Sequence, residues 1–393
     1  MNPEKIKADF PIFQEREDLV YLDNAATSQK PQQVINRIEK FYSRENANVG
    51  RGLYNLANDA NTAYREARRK VADFIGATPS ETVFVRNTTE AENLLAHSLD
   101  LDGEIVLSEM AHHSEQLPWR RKAGEERLGI SYIETENGKI SVEDAEEKIG
   151  EDTSLVAISH ISNVFGAENP VEEITEIAHE NDALVVLDGA QSVPHMPVDV
   201  KELGVDFLCF SGHKMLGPSG TGVLYGRKEL LERMAPYQVG GGMIRKVTEK
   251  DVKYEEVPEK FEAGTPNIAG AVGLGAAVDY LESIGMKKIY QHDRKLTEKM
   301  IEELQEIEGV NVLSPEGANL VSFTTEYAHP HDISEVLNQN NIAVRAGHHC
   351  AQPQMDRKGI NGTVRASPYL YNTEKDVEKF VEAVKEVREV FKD

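Results

Sequence analysis

Three reactive side chains lie next to apolar runs that read as strands. Lys214 stands in Phe210-Ser211-Gly212-His213-Lys214-Met215-Leu216-Gly217-Pro218, a segment rich in turn formers that follows such a run. Asp188 closes the run Leu184–Leu187 and is followed by Gly-Ala-Gln191. An amine and a carboxylate at the ends of two parallel strands are what pyridoxal phosphate requires. The lysine forms the Schiff base, and the carboxylate keeps the pyridine nitrogen protonated so that the ring is an electron sink. Each residue alone has a plainer reading: Lys214 as a surface lysine in a loop, Asp188 as a helix N-cap or magnesium ligand. The two segments together point to the cofactor. Its phosphate needs a cradle of donors. Arg86-Asn87-Thr88-Thr89-Glu90 lies between a strand ending at Val85 and a helix starting near Glu90, where free N–H groups and the positive dipole end suit a dianion. Simple N-capping by threonine competes with that reading. Ser211, His213 and Thr265 are further candidate donors.

The third reactive residue is Cys350, in Arg345-Ala-Gly-His-His-Cys350-Ala-Gln-Pro353 just after a short strand. A thiolate is the nucleophilic form of cysteine, and neighbouring positive charge or polar donors raise its population. A zinc site could be drawn from His112, His113, His348, His349 and Cys350, but adjacent pairs lack ligand spacing. The other cysteine, Cys209, sits inside the apolar run Phe207–Phe210 and reads as a small core hydrophobe. Arg365, in Thr363-Val-Arg365-Ala-Ser, can hold an amino-acid carboxylate in a two-bond fork. A surface ion pair is its alternative.

The elements that must position these groups follow from periodicity. Short β-branched or aromatic runs occur at Val83–Val85, Ile105–Leu107, Ile130–Ile133, Leu155–Ile158, Leu184–Leu187, Phe207–Phe210 and Val223–Tyr225. Helical stretches such as Gln32–Tyr42, Ala60–Phe74 and Val171–His179 lie among them. The alternation predicts an α/β fold: a mostly parallel sheet covered by helices, with ligands at the carboxyl ends of its strands. Beyond Pro266 the pattern changes to helices near Gly270–Ile284, Met286–Ile307, Asp332–Gln339 and Glu374–Phe391, with short strands at Val310–Leu313, Leu320–Thr324 and Ile342–Val344. We therefore expect a large cofactor-binding domain over 15–266 and a smaller α+β C-terminal domain over 267–393, joined by residues 1–14 and carrying Cys350. The glycines Gly240–Gly242 and the acidic segment to Glu262 read as a loop or hairpin between them.

Composition narrows the function classes. Forty-three basic against 67 acidic residues give a formal charge of −24, which repels nucleic acid and anionic membranes. No apolar run approaches the ~20 residues of a membrane span, and the start Met1–Phe13 lacks the apolar stretch of a secretory signal. Two cysteines cannot build a disulfide framework, so a reducing cytoplasm is expected. The acidic residues crowd into helical stretches such as Glu143–Asp152 and Glu172–Glu180, away from the motifs. Electrostatics are accordingly expected to select any protein partner.

Taken in order, Asp188-Gly-Ala-Gln191, Ser211-Gly-His-Lys214, Phe261-Glu-Ala-Gly-Thr-Pro266 and Arg345-Ala-Gly-His-His-Cys350-Ala-Gln-Pro353 resemble the cysteine desulfurases of the SufS type, group II. These lie within the class V aminotransferase branch of fold-type I pyridoxal phosphate enzymes. The resemblance runs from Tyr21-Leu-Asp-Asn-Ala-Ala-Thr27 to Arg365. It implies that Lys214 holds the cofactor covalently, that Asp188 pairs with the pyridine nitrogen, and that Gln191 and Asn163 lie by the phenolic oxygen. Thr88, Thr89, Ser211 and His213 are implied to hold the phosphate, with Thr265 reaching that of the neighbouring subunit in a homodimer. His112 is implied to stack on the ring and shuttle protons. Arg365, with Arg345 and Asn163 nearby, would bind the carboxylate of L-cysteine, and Cys350 would accept the sulfur as a persulfide. L-alanine would leave, and the sulfur would pass to an acceptor protein or an iron–sulfur scaffold.

The chain departs from the family pattern in three places. Gly50-Arg51-Gly52-Leu53-Tyr54 stands where His-Arg-Gly-x-His is common, Pro368 where an aromatic or aliphatic residue is usual, and Ala111 where an acid often precedes His112. None removes a reacting group. Selenocysteine lyase, with L-selenocysteine as substrate, shares the scaffold and is the alternative enzyme. An inactive sulfur-relay subunit is the alternative of another class, and transamination leaves Cys350 without a task.

Overall fold

The computed structural model describes residues 1–50, 52–136 and 138–391, so Arg51 of the rim motif lies outside the described residues. All seven short apolar runs enter one sheet. Its order is Thr82–Val85, Gly222–Gly226, Phe207–Ser211, Leu184–Asp188, Thr153–Ser159, Glu104–Ser108, Gly129–Ile133. From Phe207–Ser211 to Gly129–Ile133 neighbours run parallel, while Gly222–Gly226 is antiparallel to both its neighbours. Side chains alternate between two cores, as the pleat demands. Val156, Ile158, Val185, Leu187, Leu208 and Phe210 face one; Leu155, Ala157, Val186, Phe207 and Cys209 face the other. The first is covered by Val171–Glu180 and Ile268–Ile284, the second by Thr88–Ser98 and His113–Glu126. With both faces buried, the strands read as continuous apolar runs rather than alternating ones.

The helix Ile268–Ile284 is rich in small residues because two other helices cross it closely. A Cβ added at Gly275 would sit 3.1 Å from the Ala67 Cα, and one at Gly273 would sit 2.8 Å from Ile38. Leu274, Ala277 and Leu281 of this helix pack into the core of the seven-stranded unit. A second sheet is antiparallel, in the order Val310–Val312, Val321–Thr325, Thr363–Ala366, Arg345–Gly347. It packs with Met286–Gln305 and Glu374–Val390 around Leu296, Met300, Phe323, Val364, Phe380 and Val384. Thr373 and Asp376 cap the last helix reciprocally, as their spacing suggests. The N-terminal segment ties the two units together. Val20–Tyr21 pairs in parallel with Ile342–Ala343, and Phe10 packs edge-on against Tyr280 and Tyr371.

Two helices differ in extent from the apolar pattern. Gln32–Lys40 gives way to a wider π turn over Phe41–Glu45, and the helix containing Ala60 begins at Asn55. Its first turn is mostly polar and exposed, so periodicity is silent there although Ala57 is buried. The segment after Gly242 forms the hairpin Ile244–Val247/Val252–Tyr254.

The segment Phe261–Pro266 is fixed from below by an ion pair. Arg68 meets Glu262 at 2.6 and 2.8 Å, and the same carboxylate accepts from the Tyr64 hydroxyl and the Phe84 N–H, each at 2.8 Å. Both partners are under one-tenth exposed. Removing one member strands a buried charge, so Glu262→Ala should lower unfolding free energy by about 3–5 kcal/mol. Denaturant titration measures this, and a loss below about 1 kcal/mol, the range of an exposed pair, would contradict it.

Candidate active site

The carboxyl edge of the parallel strands opens into a cavity of about 370 Å³ that reaches the smaller sheet. Asp188 ends its strand at the cavity floor, and one carboxylate oxygen accepts the Ala190 N–H at 2.8 Å. Burial raises its carboxyl above the usual range, against the attraction of Lys214. Lys214 follows the next strand in a tight turn, Gly212–Lys214. Burial draws its amine down to about 8, with Asp188 and Cys350 opposing and Arg365 and Arg345 assisting. A lysine in that range is a usable nucleophile and base near neutral pH.

At one end the cavity meets the N-terminus of Thr88–Ser98, capped by Asn87. The Ser211 hydroxyl accepts the Thr88 N–H at 2.9 Å and lies 2.8 Å from the Thr88 hydroxyl, while Thr89 meets Ser114 at 2.7 Å. His213 lines the same end, its Nδ1 3.2 Å from the Thr27 hydroxyl. His112 caps the helix His113–Glu126 by accepting the Ser114 N–H at Nδ1, 3.0 Å away. That bond places the ring proton on Nε2. Burial first, then Lys214, His113 and Arg365, hold the ring at about 3, so it enters the cavity neutral.

The smaller sheet supplies the opposite wall. Arg345 and Arg365 are register partners on adjacent strands. Asp23, which sequence reasoning passed over, organises both. It binds Arg345 through two bonds of 3.0 and 2.8 Å and stands 3.7 Å from Arg365. It lies in the segment Tyr21–Thr27 where the resemblance begins, shortly after the strand Val20–Tyr21, but nothing there singled it out. Arg365 donates to the Asn163 carbonyl at 2.8 Å and keeps a buried Nε without a partner. Asn163 and Gln191 line the cavity and each also makes a bond inside the protein: the Asn163 amide donates to the His349 carbonyl at 2.7 Å, and Gln191 donates to the Ala25 carbonyl at 2.9 Å. Cys350 is exposed on the cavity rim. Thr265 is exposed and lies outside this cavity, in a separate hollow with Arg86 and Tyr237.

Beneath Asp188 lies a layer that the sequence did not signal. Ser159, Asp188 and Cys209 are register partners on three adjacent strands and so share one sheet face. The covering helices add Glu92 and Glu115, both fully buried. Glu115 accepts from Ser159 at 2.7 Å and Glu92 from the Trp119 Nε1 at 2.9 Å, and each keeps one oxygen without a partner. Burial and the neighbouring carboxylates push both glutamates well above their usual range, and burial does the same to the Cys209 thiol.

These groups fit pyridoxal phosphate. Asp188 has a free oxygen facing the cavity, the Lys214 amine has no hydrogen-bond partner among the described residues, and a helix N-terminus ringed by hydroxyls can take a dianion. Arg365 can take a substrate carboxylate, and Cys350 borders the same cavity as Lys214.

The chain matches the class-V aminotransferase family over residues 20–380. It is 48% identical over 402 residues to a probable cysteine desulfurase of Halalkalibacterium halodurans, covering 100% of this chain and 99% of that protein. A cysteine desulfurase of Haloferax volcanii is 43% identical over 412 residues, covering 98% of this chain and 97% of the other. Among solved structures, the apo cysteine desulfurase of Thermococcus onnurineus gives a TM-score of 0.95 at 42% identity, covering 100% of this chain and 99% of that one. The Escherichia coli cysteine desulfurase CsdA gives 0.92 at 35% identity, with coverage of 100% and 99%.

A carboxyl whose value is raised on folding adds stability at low pH and loses it as pH rises. Glu92 and Glu115 should therefore make the cofactor-free chain less stable as pH climbs above 4.5, their ordinary value. In thermal melts, Glu92→Gln/Glu115→Gln should flatten that decline. Parallel pH profiles for variant and wild type would show that both glutamates are ionised in the folded chain.

Proposed function

The chain belongs to the class-V aminotransferase family and to its cysteine desulfurases, and from that premise we propose a SufS-type, group II enzyme that carries sulfur on Cys350. It is a pyridoxal-phosphate-dependent cysteine desulfurase, converting L-cysteine to L-alanine. One observation carries the finer reading: Cys350, Arg365, Lys214 and Asp188 line a single cavity. A pure aminotransferase needs no thiol there.

In this reading Asp188, Lys214, Thr88, Thr89, Ser211 and His213 hold the cofactor, with His112, Gln191 and Asn163 beside it. When bound, the cofactor supplies an electron sink that makes the substrate Cα–H acidic and loosens the carbon–sulfur bond. Arg365, which lines the cavity, takes the substrate carboxylate, because Arg345 is already committed to Asp23. Lys214, deprotonating near pH 8, removes and returns the Cα proton. His112 presents Nε2–H and can steady the substrate sulfur by hydrogen bonding. It can take a proton at Nδ1 only by giving up the Ser114 N–H. The Cys350 sulfur then attacks the substrate sulfur. A sulfur–sulfur bond forms, the carbon–sulfur bond breaks, and its electron pair stays with the carbon that is protonated to alanine.

Group II assignment rests on the short, ordered link between Cys350 and Arg365. It contains the helix Gln352–Arg357, and Arg357 pairs with Glu109 of the large unit. A homodimer accounts for Thr265, which stands exposed and outside its own cavity, and for the exposed apolar side chains Tyr42, Leu53 and Tyr54. The persulfide then passes to an acceptor protein for iron–sulfur cluster assembly. Among the described residues no helix is long and apolar enough to cross a membrane.

Incubation with L-cysteine should give alanine together with a persulfide on the Cys350 peptide, seen by mass spectrometry. Cys350→Ser should abolish the persulfide and keep the visible absorbance of bound cofactor, and unchanged sulfur release in that variant would overturn the assignment. Lys214→Ala should lose the cofactor's characteristic absorbance. Uptake of pyridoxal phosphate by the cofactor-free chain should quicken as pH rises through about 8, where Lys214 loses its proton. A rate independent of pH across that titration would contradict the role of its neutral amine.

A further inference from the structure

The segment that carries Cys350 has an unusual backbone. His349 and Cys350 both lie in the left-handed region, with φ of 51° and 57°. Residues with a Cβ adopt that conformation rarely, and two in succession persist only where the surroundings hold them. Four bonds provide the hold. The His349 carbonyl accepts the Asn163 amide at 2.7 Å, and the Cys350 carbonyl accepts the His113 N–H at 2.8 Å. The Ala351 N–H closes a turn onto the His348 carbonyl at 2.9 Å. The His349 ring, under one-tenth exposed, sets its Nε2 2.8 Å from the Thr363 hydroxyl.

Thr363 and Arg365 belong to the same strand, Thr363–Ala366, and alternate residues share a face. The His349 ring thus ties the cysteine turn to the strand that carries the carboxylate-binding arginine. Burial and the nearby Arg365 and Arg345 hold that ring at about 2, so it serves as an uncharged spacer rather than a proton carrier.

We propose that His349 is a positioning residue for Cys350: its ring, anchored on Thr363, keeps the left-handed turn closed so that the thiol is presented to the substrate sulfur. The proposal rests on the reading of Cys350 as the sulfur acceptor. His349 also lines the cavity, and the split between kcat and KM separates a positioning role from a substrate contact.

The test uses the holoenzyme with L-cysteine, reading alanine formation and Cys350 persulfide together. His349→Ala, His349→Gly and Thr363→Val should each lower kcat by roughly ten- to a hundredfold, the cost of misplacing a reacting group. KM for L-cysteine and the absorbance of bound cofactor should stay at wild-type values. His349→Gln, which can still reach Thr363 with a side-chain amide, should recover most of the lost kcat. The glycine variant is the sharpest arm, because glycine adopts the left-handed turn freely but has no ring. Wild-type kcat in His349→Gly or Thr363→Val would overturn the proposal, as would a loss that appears only in KM or that glutamine fails to repair. Cys350→Ser runs in parallel: if it still releases sulfur, the reading of Cys350 itself fails, whereas if it is inactive and His349→Gly is not, only the positioning role fails.

Discussion

Asp188 and Lys214 stand at the carboxyl ends of neighbouring parallel strands, in a cavity that strips both of water, and each one's charge depends on the other. Burial alone would push the aspartate to protonate and the lysine to deprotonate; their mutual attraction resists both. The outcome is an amine near its working range and an acid held on a rigid strand end. Everything else in the large unit serves that arrangement. Parallel pairing sets the two ends side by side, and apolar side chains on both faces exclude water from beneath. The layer below is the exception. Glu92 and Glu115 could each add a negative charge under Asp188, and two carboxylates in one dry site do not both ionise readily.

The smaller unit answers with a second charge constellation. Two arginines on adjacent strands would repel one another at close range. Asp23 relieves this unequally, binding Arg345 in a two-bond fork and leaving Arg365 largely open. The asymmetry sorts two residues of the same type into different tasks. Arg345 becomes part of the scaffold that joins the N-terminal segment to the small sheet. Arg365 makes no such fork and lines the cavity.

Much of this was legible in the sequence. Each short apolar run became a strand of the large sheet, because a run buried on both faces carries its signal in composition alone. The motifs around Asp188, Lys214 and Cys350 were visible because they sit at or just after strand ends, Arg365 lies within a strand, and the cavity gathers all four. Asp23, Glu92 and Glu115 were not visible. Asp23 acts through residues more than three hundred positions away. The two glutamates lie on helices, where an acid reads as solvent-facing until the opposing sheet face is known. The internal commitments of Asn163 and Gln191 were hidden for the same reason, since side-chain amides bond to whatever carbonyl the fold brings near. The left-handed turn at His349 and Cys350 left no trace either, because neither residue is the glycine that marks such a turn.

The two cysteines show how far environment, rather than residue type, decides chemistry. Cys209 lies on a central strand with Glu92, Glu115 and Asp188 around it, and burial drives its thiol away from ionisation. Neither of the nucleophile's requirements, access and an environment that tolerates negative charge, is met there. Cys350 meets both. It is exposed on the rim, it shares the cavity with Lys214, Arg345 and Arg365, and its backbone is held in a turn that a relaxed chain would leave. The strong negative charge of the whole chain sharpens the contrast. Against a background of −24, a cavity lined by Arg345, Arg365 and Lys214 against Asp188 is a local reversal of sign. Low-dielectric walls focus such a field into the cavity rather than across the surface. In the proposed reading, an amino acid whose carboxylate Arg365 holds has its side chain within the cavity that Cys350 borders.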